Sequence, residues 1–423
     1  MSSMLRIAVV AGLVVIAASS DAVAQGFCGC MSLQQSQPLN QIIHDSKYYF
    51  QAKRIKTTTT QKGDNKKNLT EFEVTEIFRA PQNSLKTGER FNLSVTPDLR
   101  FDSKTEEIVE APQQPESSVL VVSDGADFPA EAQIVCETNP AIKAYIASTS
   151  KALESVKEES ERRRIFVQYL GNEESVIADD AIMEIFAGGY EGIAALRTEL
   201  PREQLLAAFE NPRNSSMLTF YGVLIGMCGN PDDAAVLERK FVEVNGDFRN
   251  GIEGVIVGYL LIRGEDGLKV VEDSKMRART AKTAAGEEIQ LPFSETYAAL
   301  QALRDLWNFE PRRIPAERLR ESMRILLQRR EMADLVINEL AKWKDWTAQD
   351  RIVAMFDEEE FQIPATQRAI ARFLYYSSHE TGEVASDGKT VRPEHAVRAE
   401  ETLKSLKEKN PKLVDDALRF LVR

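Results

Sequence analysis

Leu218-Thr219-Phe220-Tyr221-Gly222-Val223-Leu224-Ile225-Gly226-Met227-Cys228 is apolar nearly all round. A helix of that composition offers no face to water, so it is expected to be an inner helix packed on both sides. Asp232 to Val242 supplies an amphipathic partner, with Pro231 well placed in the first turn. Ile252 to Leu261 repeats the apolar pattern and is capped by Gly264.

The same alternation runs outward on both sides. Upstream, Arg164 to Leu170 ends at the stop signal Gly171, and Ile177, Ala181, Ile182 and Ile185 recur at helical spacing. Tyr190 to Leu200 stops before Pro201, and Leu205 to Phe209 stops at Asn211-Pro212. Downstream come Tyr297 to Trp307, Arg318 to Leu327, Met332 to Trp343, Ile352 to Phe356 and Gln367 to Tyr375. Helix pairs of about 35 to 45 residues joined by Gly, Pro, Asn and Asp turns are the mark of an α-solenoid. Residues 151–378 are therefore expected to form an all-α solenoid, and Asn172 to Leu200 and Asn214 to Val242 resemble HEAT-like repeats. A non-repetitive helical domain is the alternative. Residues 379–395 read as a polar loop, and 396–423 as two capping helices, Ala396 to Leu406 and Leu413 to Val422.

Residues 25–148 follow a different period. Tyr48 to Ile55, Glu71 to Phe78, Arg90 to Val95, Ser118 to Val122 and Ile134 to Cys136 read as short strands, the second alternating polar and apolar residues cleanly. Turn-formers separate them at Lys62-Gly63-Asp64-Asn65, Lys86-Thr87-Gly88 and Pro112 to Pro115. Ser118-Val119-Leu120-Val121-Val122 is continuously apolar and suits a central strand. Pro140 to Ser148 reads as a closing helix. Such strands predict a small antiparallel β-barrel or sandwich, so the whole chain is expected to be a multi-domain protein, small β-barrel first and helical array second.

The ends bound the compartment. Arg6, the apolar run Ile7 to Ala18 and the small residues of Ala22-Val23-Ala24 make residues 1–24 a secretory signal peptide, leaving Gln25 as the mature terminus. No later stretch is long and apolar enough to span a bilayer. A secreted or periplasmic protein, not inserted in the membrane after cleavage, is expected. The net charge of −12 opposes nucleic-acid binding, which needs a basic surface.

Cys28-Gly29-Cys30, the strands that follow and Cys136-Glu137-Thr138 together resemble secreted netrin-like domains, the OB-type barrels also found in tissue inhibitors of metalloproteinases. The resemblance implies that Cys28 or Cys30 bridges to Cys136. Closing a loop of about a hundred residues would stabilise by roughly 4–5 kcal/mol. Inhibition in that family uses the free amine of an N-terminal cysteine, and Gln25-Gly26-Phe27 ahead of Cys28 would destroy that geometry. Cys228 is either a buried inert thiol or the partner of the spare member of the Cys28/Cys30 pair.

Candidate chemistry is sparse. His44, His379 and His395 are far apart in sequence, although His379-Glu380 and Glu394-His395 flank one loop. No nucleophile elbow, phosphate loop or dinucleotide fingerprint is present. Asp357-Glu358-Glu359-Glu360 reads as a charged helix end, and Arg312, Arg313, Arg318, Arg320, Arg324, Arg329 and Arg330 as a salt-bridged solvent face, with Glu317 and Glu321 interleaved. No catalytic residue, cofactor or metal is assigned. The expected role is a non-catalytic interaction or scaffold protein that presents barrel and array to extracytoplasmic protein partners. The alternatives are an enzyme or enzyme-associated subunit with a pocket at the barrel–solenoid junction, or a metalloproteinase-inhibitor-like module.

Overall fold

The structure, a computed structural model, describes residues 37–62, 65–82, 84–95, 99–102, 107–110, 117–125, 128, 131–244, 249–283, 285–382 and 391–419. The expected leader 1–24, Cys28, Cys30, Gly63-Asp64, Pro112 to Pro115 and the loop centre around Asp387-Gly388 lie outside them.

A short helix, α1 (Leu39–Asp45), precedes seven strands: β1 (Tyr48–Lys62), β2 (Asn65–Arg79), β3 (Arg90–Ser94), β4 (Leu99–Asp102), β5 (Glu107–Glu110), β6 (Ser118–Ser123) and β7 (Gln133–Glu137). Five of them form one antiparallel sheet in the order β3-β2-β1-β6-β7, which ends at β3 on one side and β7 on the other. Among the described residues β4 and β5 pair with each other and with no other strand, two strands the sequence reading passed over.

β6 is the central strand its composition predicted, lying between β1 and β7. Successive strand residues point to opposite faces, and here both faces are covered. Val119 and Val121 join Phe50, Ala52, Phe72, Val74, Phe91 and Leu93 in a core that Phe128 packs against. Leu120 and Val122 join Tyr49 on the other face, in a second core that runs on through the helices.

The helices begin with α2 (Pro140–Leu153), whose start is capped by the Asn139 side chain accepting from the Ile142 N–H. The boundary expected at 148–151 falls inside this helix. Then come α3 (Glu159–Val167), α4 (Ser175–Phe186), α5 (Gly189–Ala194), α6 (Arg202–Glu210), α7 (Leu218–Cys228), α8 (Asp233–Val242), α9 (Ile252–Arg263) and α10 (Glu265–Val271). A π-helical turn, Glu272–Arg277, extends α10. A small hairpin, β8 (Thr280–Lys282) with β9 (Glu288–Gln290), follows where only helix was expected. The chain ends with α11 (Phe293–Phe309), α12 (Ala316–Ile325), α13 (Ala333–Lys342), α14 (Gln349–Ala354), α15 (Pro364–Ser378), α16 (Glu394–Lys409) and α17 (Pro411–Leu418). The layout is thus β first and α-helical second.

All of α7 from Leu218 to Ile225 is buried, as its composition requires. Its contact with α9 is set by glycine. A Cβ on Gly226 would lie 2.4 Å from the Gly258 Cα, one on Gly258 would lie 2.0 Å from the Gly222 carbonyl oxygen, and one on Gly254 2.3 Å from that of Thr219. Each helix carries two glycines four residues apart, so bare backbones meet along one stripe. That spacing stood in the sequence as a signal for close helix approach.

Candidate functional site

The expected bridge cannot be followed beyond Cys136, because Cys28 and Cys30 lie outside the described residues. Cys136 sits on β7 opposite Leu120, is partly buried, and is not bonded to Cys228. Burial pushes both thiols up to about 11, so neither is a ready nucleophile at neutral pH.

The histidines do not form a site together. His44 is exposed beside Asp45 at 3.0 Å. His379 Nδ1 lies 2.8 Å from the Tyr375 carbonyl, and His395 stacks on Trp346 with ring centroids 5.8 Å apart. Burial lowers the His395 pKa, and the Glu380 charge opposes that shift. Glu380 is also paired with Lys344 at 3.1 Å. Among the described residues no trio of His, Cys, Asp or Glu is arranged for a metal.

The arginine concentration is salt-bridged through Glu317 and Glu321, as expected, and it also reaches inward. Arg318 reaches Glu272 at 2.5 Å, Arg324 binds Asp345 at 2.6 Å and also Glu317, and Arg320 holds the Trp343 carbonyl at 2.7 Å. Arg329 is only 4% exposed and donates to the Met276 and Ala278 carbonyls. These side chains tie α12 and the turn after it to neighbouring elements. Glu358 of the acidic run pairs with Arg351, as expected of an ordinary charged end.

Two buried polar networks escaped the sequence reading. At the junction of sheet and helices, Asp180 of α4 accepts from the Leu39 N–H at 2.6 Å, Asn40 Nδ2 at 2.7 Å and the Tyr145 hydroxyl at 2.5 Å. Burial raises the Asp180 pKa while these donors oppose it. Deeper in the array, Lys275 of the π-helical turn, fully buried, donates to Glu295 at 2.6 Å, and Arg249 grips the same carboxylate at 2.7 and 2.8 Å. The two cations hold Glu295 below the usual carboxylate range against the opposing pull of burial. The groups sit on elements far apart in sequence, so periodicity carries no trace of either network.

A cleft of about 240 Å³ is built wholly from the helical region. Gly226, Met227, Gly229 and Pro231 line it from the end of α7, Leu261 and Ile262 from the end of α9. Arg197, beyond α5, and Glu310 and Arg313, between α11 and α12, supply its charge. Glu310 Oε1 accepts from the Tyr190 hydroxyl and from Arg197, the latter at 3.0 Å, while Arg313 donates to the Ile262 carbonyl at 2.5 Å. Tyr190 stacks on Phe309 at 5.4 Å, which draws α5 to the end of α11. Burial and Glu310 raise the Tyr190 pKa, so its hydroxyl is a neutral donor. The arrangement holds fixed hydrogen-bonding groups around a small space, which suits recognition of a small polar ligand.

No protein-family model, curated protein or solved structure matches the chain.

Proposed function

We propose that this is an extracytoplasmic, non-catalytic interaction protein, in which a netrin-like barrel module and a HEAT-like helical solenoid each offer a surface to a protein partner. On this reading residues 1–24 export the chain and a bridge from Cys28 or Cys30 to Cys136 staples the first module. The five-stranded antiparallel sheet supports a β module at the start, and the apolar inner helices α7 and α9 with their amphipathic neighbour α8 support the solenoid.

The observation that carries the reading is the continuous core. Tyr49, Leu120 and Val122 of the sheet pack in one cluster with Ile142, Phe166 and Ile182 of the helices. The Asp180 network closes the same seam with hydrogen bonds. A connector that presents two surfaces needs them joined in this way.

The test is export of the full chain with its own leader. A mature terminus at Gln25 and a Cys136 thiol that resists alkylation until reduced are expected. Retention of the leader, or free alkylation of both Cys28 and Cys136 without reduction, would overturn the stapled, exported module. Photo-crosslinkers at the exposed positions Phe78 and Tyr376 should each recover a protein adduct. Recovery of small molecules or glycans alone would count against the connector.

A further inference from the structure

The cleft between the ends of α7 and α9 combines two recognition elements of opposite sign. Its floor is made by two helix C-termini, α7 and α9, whose terminal carbonyls favour a cation. Some of those carbonyls are already satisfied: that of Ile225 by the Gly229 N–H, that of Leu260 by the Gly264 N–H and that of Ile262 by Arg313. Those of Gly226, Met227 and Leu261 belong to the same last turns and to residues that line the space. The charged groups add two guanidinium groups and one carboxylate. Glu310 already bears a guanidinium and a phenol on one oxygen. Arg313 donates to the Ile262 carbonyl, Arg197 to Glu310 with the Tyr190 hydroxyl also beside it, and each carries a planar fork of the kind that matches a carboxylate. The volume of about 240 Å³ is below the roughly 300–1,000 Å³ of pockets that take drug-sized ligands.

We propose that this cleft binds a free α-amino acid, its ammonium toward the helix ends and its carboxylate on Arg197 and Arg313. A simple anion would meet the negative ends of two helices, and a simple cation would meet two arginines. A small zwitterion satisfies both. The inference goes beyond the connector role and is independent of it, because neither export nor partner capture bears on a ligand held within the helical region.

Calorimetric titration of the mature full-length chain with individual free amino acids tests it, each beside its N-acetyl and its carboxamide form, with acetate and ethylamine as single-charge probes. At least one amino acid should bind saturably and raise the thermal midpoint with concentration. Its two capped forms and both single-charge probes should bind roughly tenfold or more weakly. Arg197→Gln and Arg313→Gln should weaken binding roughly tenfold to a hundredfold with unchanged far-UV circular dichroism. Arg313→Lys, which keeps the charge but loses the fork, should also weaken it, and covers the case in which Arg197→Gln disturbs the fold. The proposal is overturned if no amino acid binds by about 10 mM, a concentration that already tolerates weak affinity. It is equally overturned if acetate or ethylamine binds as well as the zwitterion, or if the folded arginine variants bind like the wild type.

Discussion

Asp179 shows what burial does to a carboxylate that nothing offsets. Desolvation alone raises its pKa from 3.8 to about 6, whereas its neighbour Asp180 is surrounded by donors. The folded state therefore holds a proton that the unfolded state has released between about pH 4 and pH 6, so stability falls as pH rises through that window. Asp179→Asn removes the penalty. It should be more stable than the wild type by on the order of 1–3 kcal/mol above pH 6, the gap closing below about pH 4. Urea unfolding at several pH values reads this directly, and a gap that stayed constant with pH would refute it. Glu295 makes the opposite case. It is 1% exposed and neutralises a fully buried lysine and a largely buried arginine. Glu295→Gln should cost about 3–5 kcal/mol, because it strands Lys275 without its counter-charge. The triple variant Arg249→Leu/Lys275→Met/Glu295→Leu, which removes all three charges together, should recover much of that loss, and a triple variant no better than the single one would contradict the account.

At the scale of elements, the α7–α9 contact depends on absent side chains. Alanine is the better helix former by about 1 kcal/mol, yet at Gly258 its Cβ would press on the Gly222 backbone. The helices would have to separate, and overpacking of this kind costs about 1–3 kcal/mol. Gly258→Ala should lower stability, while Gly192→Ala, whose Cβ would meet only the flexible end of Arg163, should be neutral or stabilising. Equal effects at the two positions in thermal melts would show that backbone contact is not what glycine supplies here. Elements with a strong period could be read in advance. The α7 helix was visible because it is apolar nearly all round, Thr219 apart, and β6 because Ser118 to Val122 carries no break. The π-helical turn Glu272–Arg277 was not visible, because its buried members Glu272 and Lys275 are charged and read as surface until Arg318 and Glu295 meet them. The arginines of α12 pair with Glu317 and Glu321 as their spacing suggested, but they are only partly exposed, because Glu272, Asp345 and the Trp343 carbonyl meet them from inside.

For the whole molecule, the expected division into two units was readable as a change of period from two to 3.6, and the β-then-α layout follows it. The joint between them was not. Pro140 to Ser148 looked like a closing helix, but α2 runs on to Leu153, and its Tyr145 hydroxyl meets Asp180. Asp180→Ala should leave buried donors on Leu39, Asn40 and Tyr145 unpaired and cost about 1–3 kcal/mol for each that water cannot reach. Hydrogen exchange should then speed up first across α1 and the start of α4, and an unchanged exchange pattern would show that the seam is held by apolar packing alone. The sequence by itself determined most of the helices, the strands of the main sheet and their apolar faces, because local periodicity is written in neighbouring residues. It also carried the leader-like terminus and the cysteine pattern. Only the tertiary structure decided which charges are buried together, how closely α7 and α9 approach, and that Tyr190, Arg197, Glu310 and Arg313 surround one cleft. Those outcomes depend on groups as much as 120 residues apart, and no local pattern records where such groups meet.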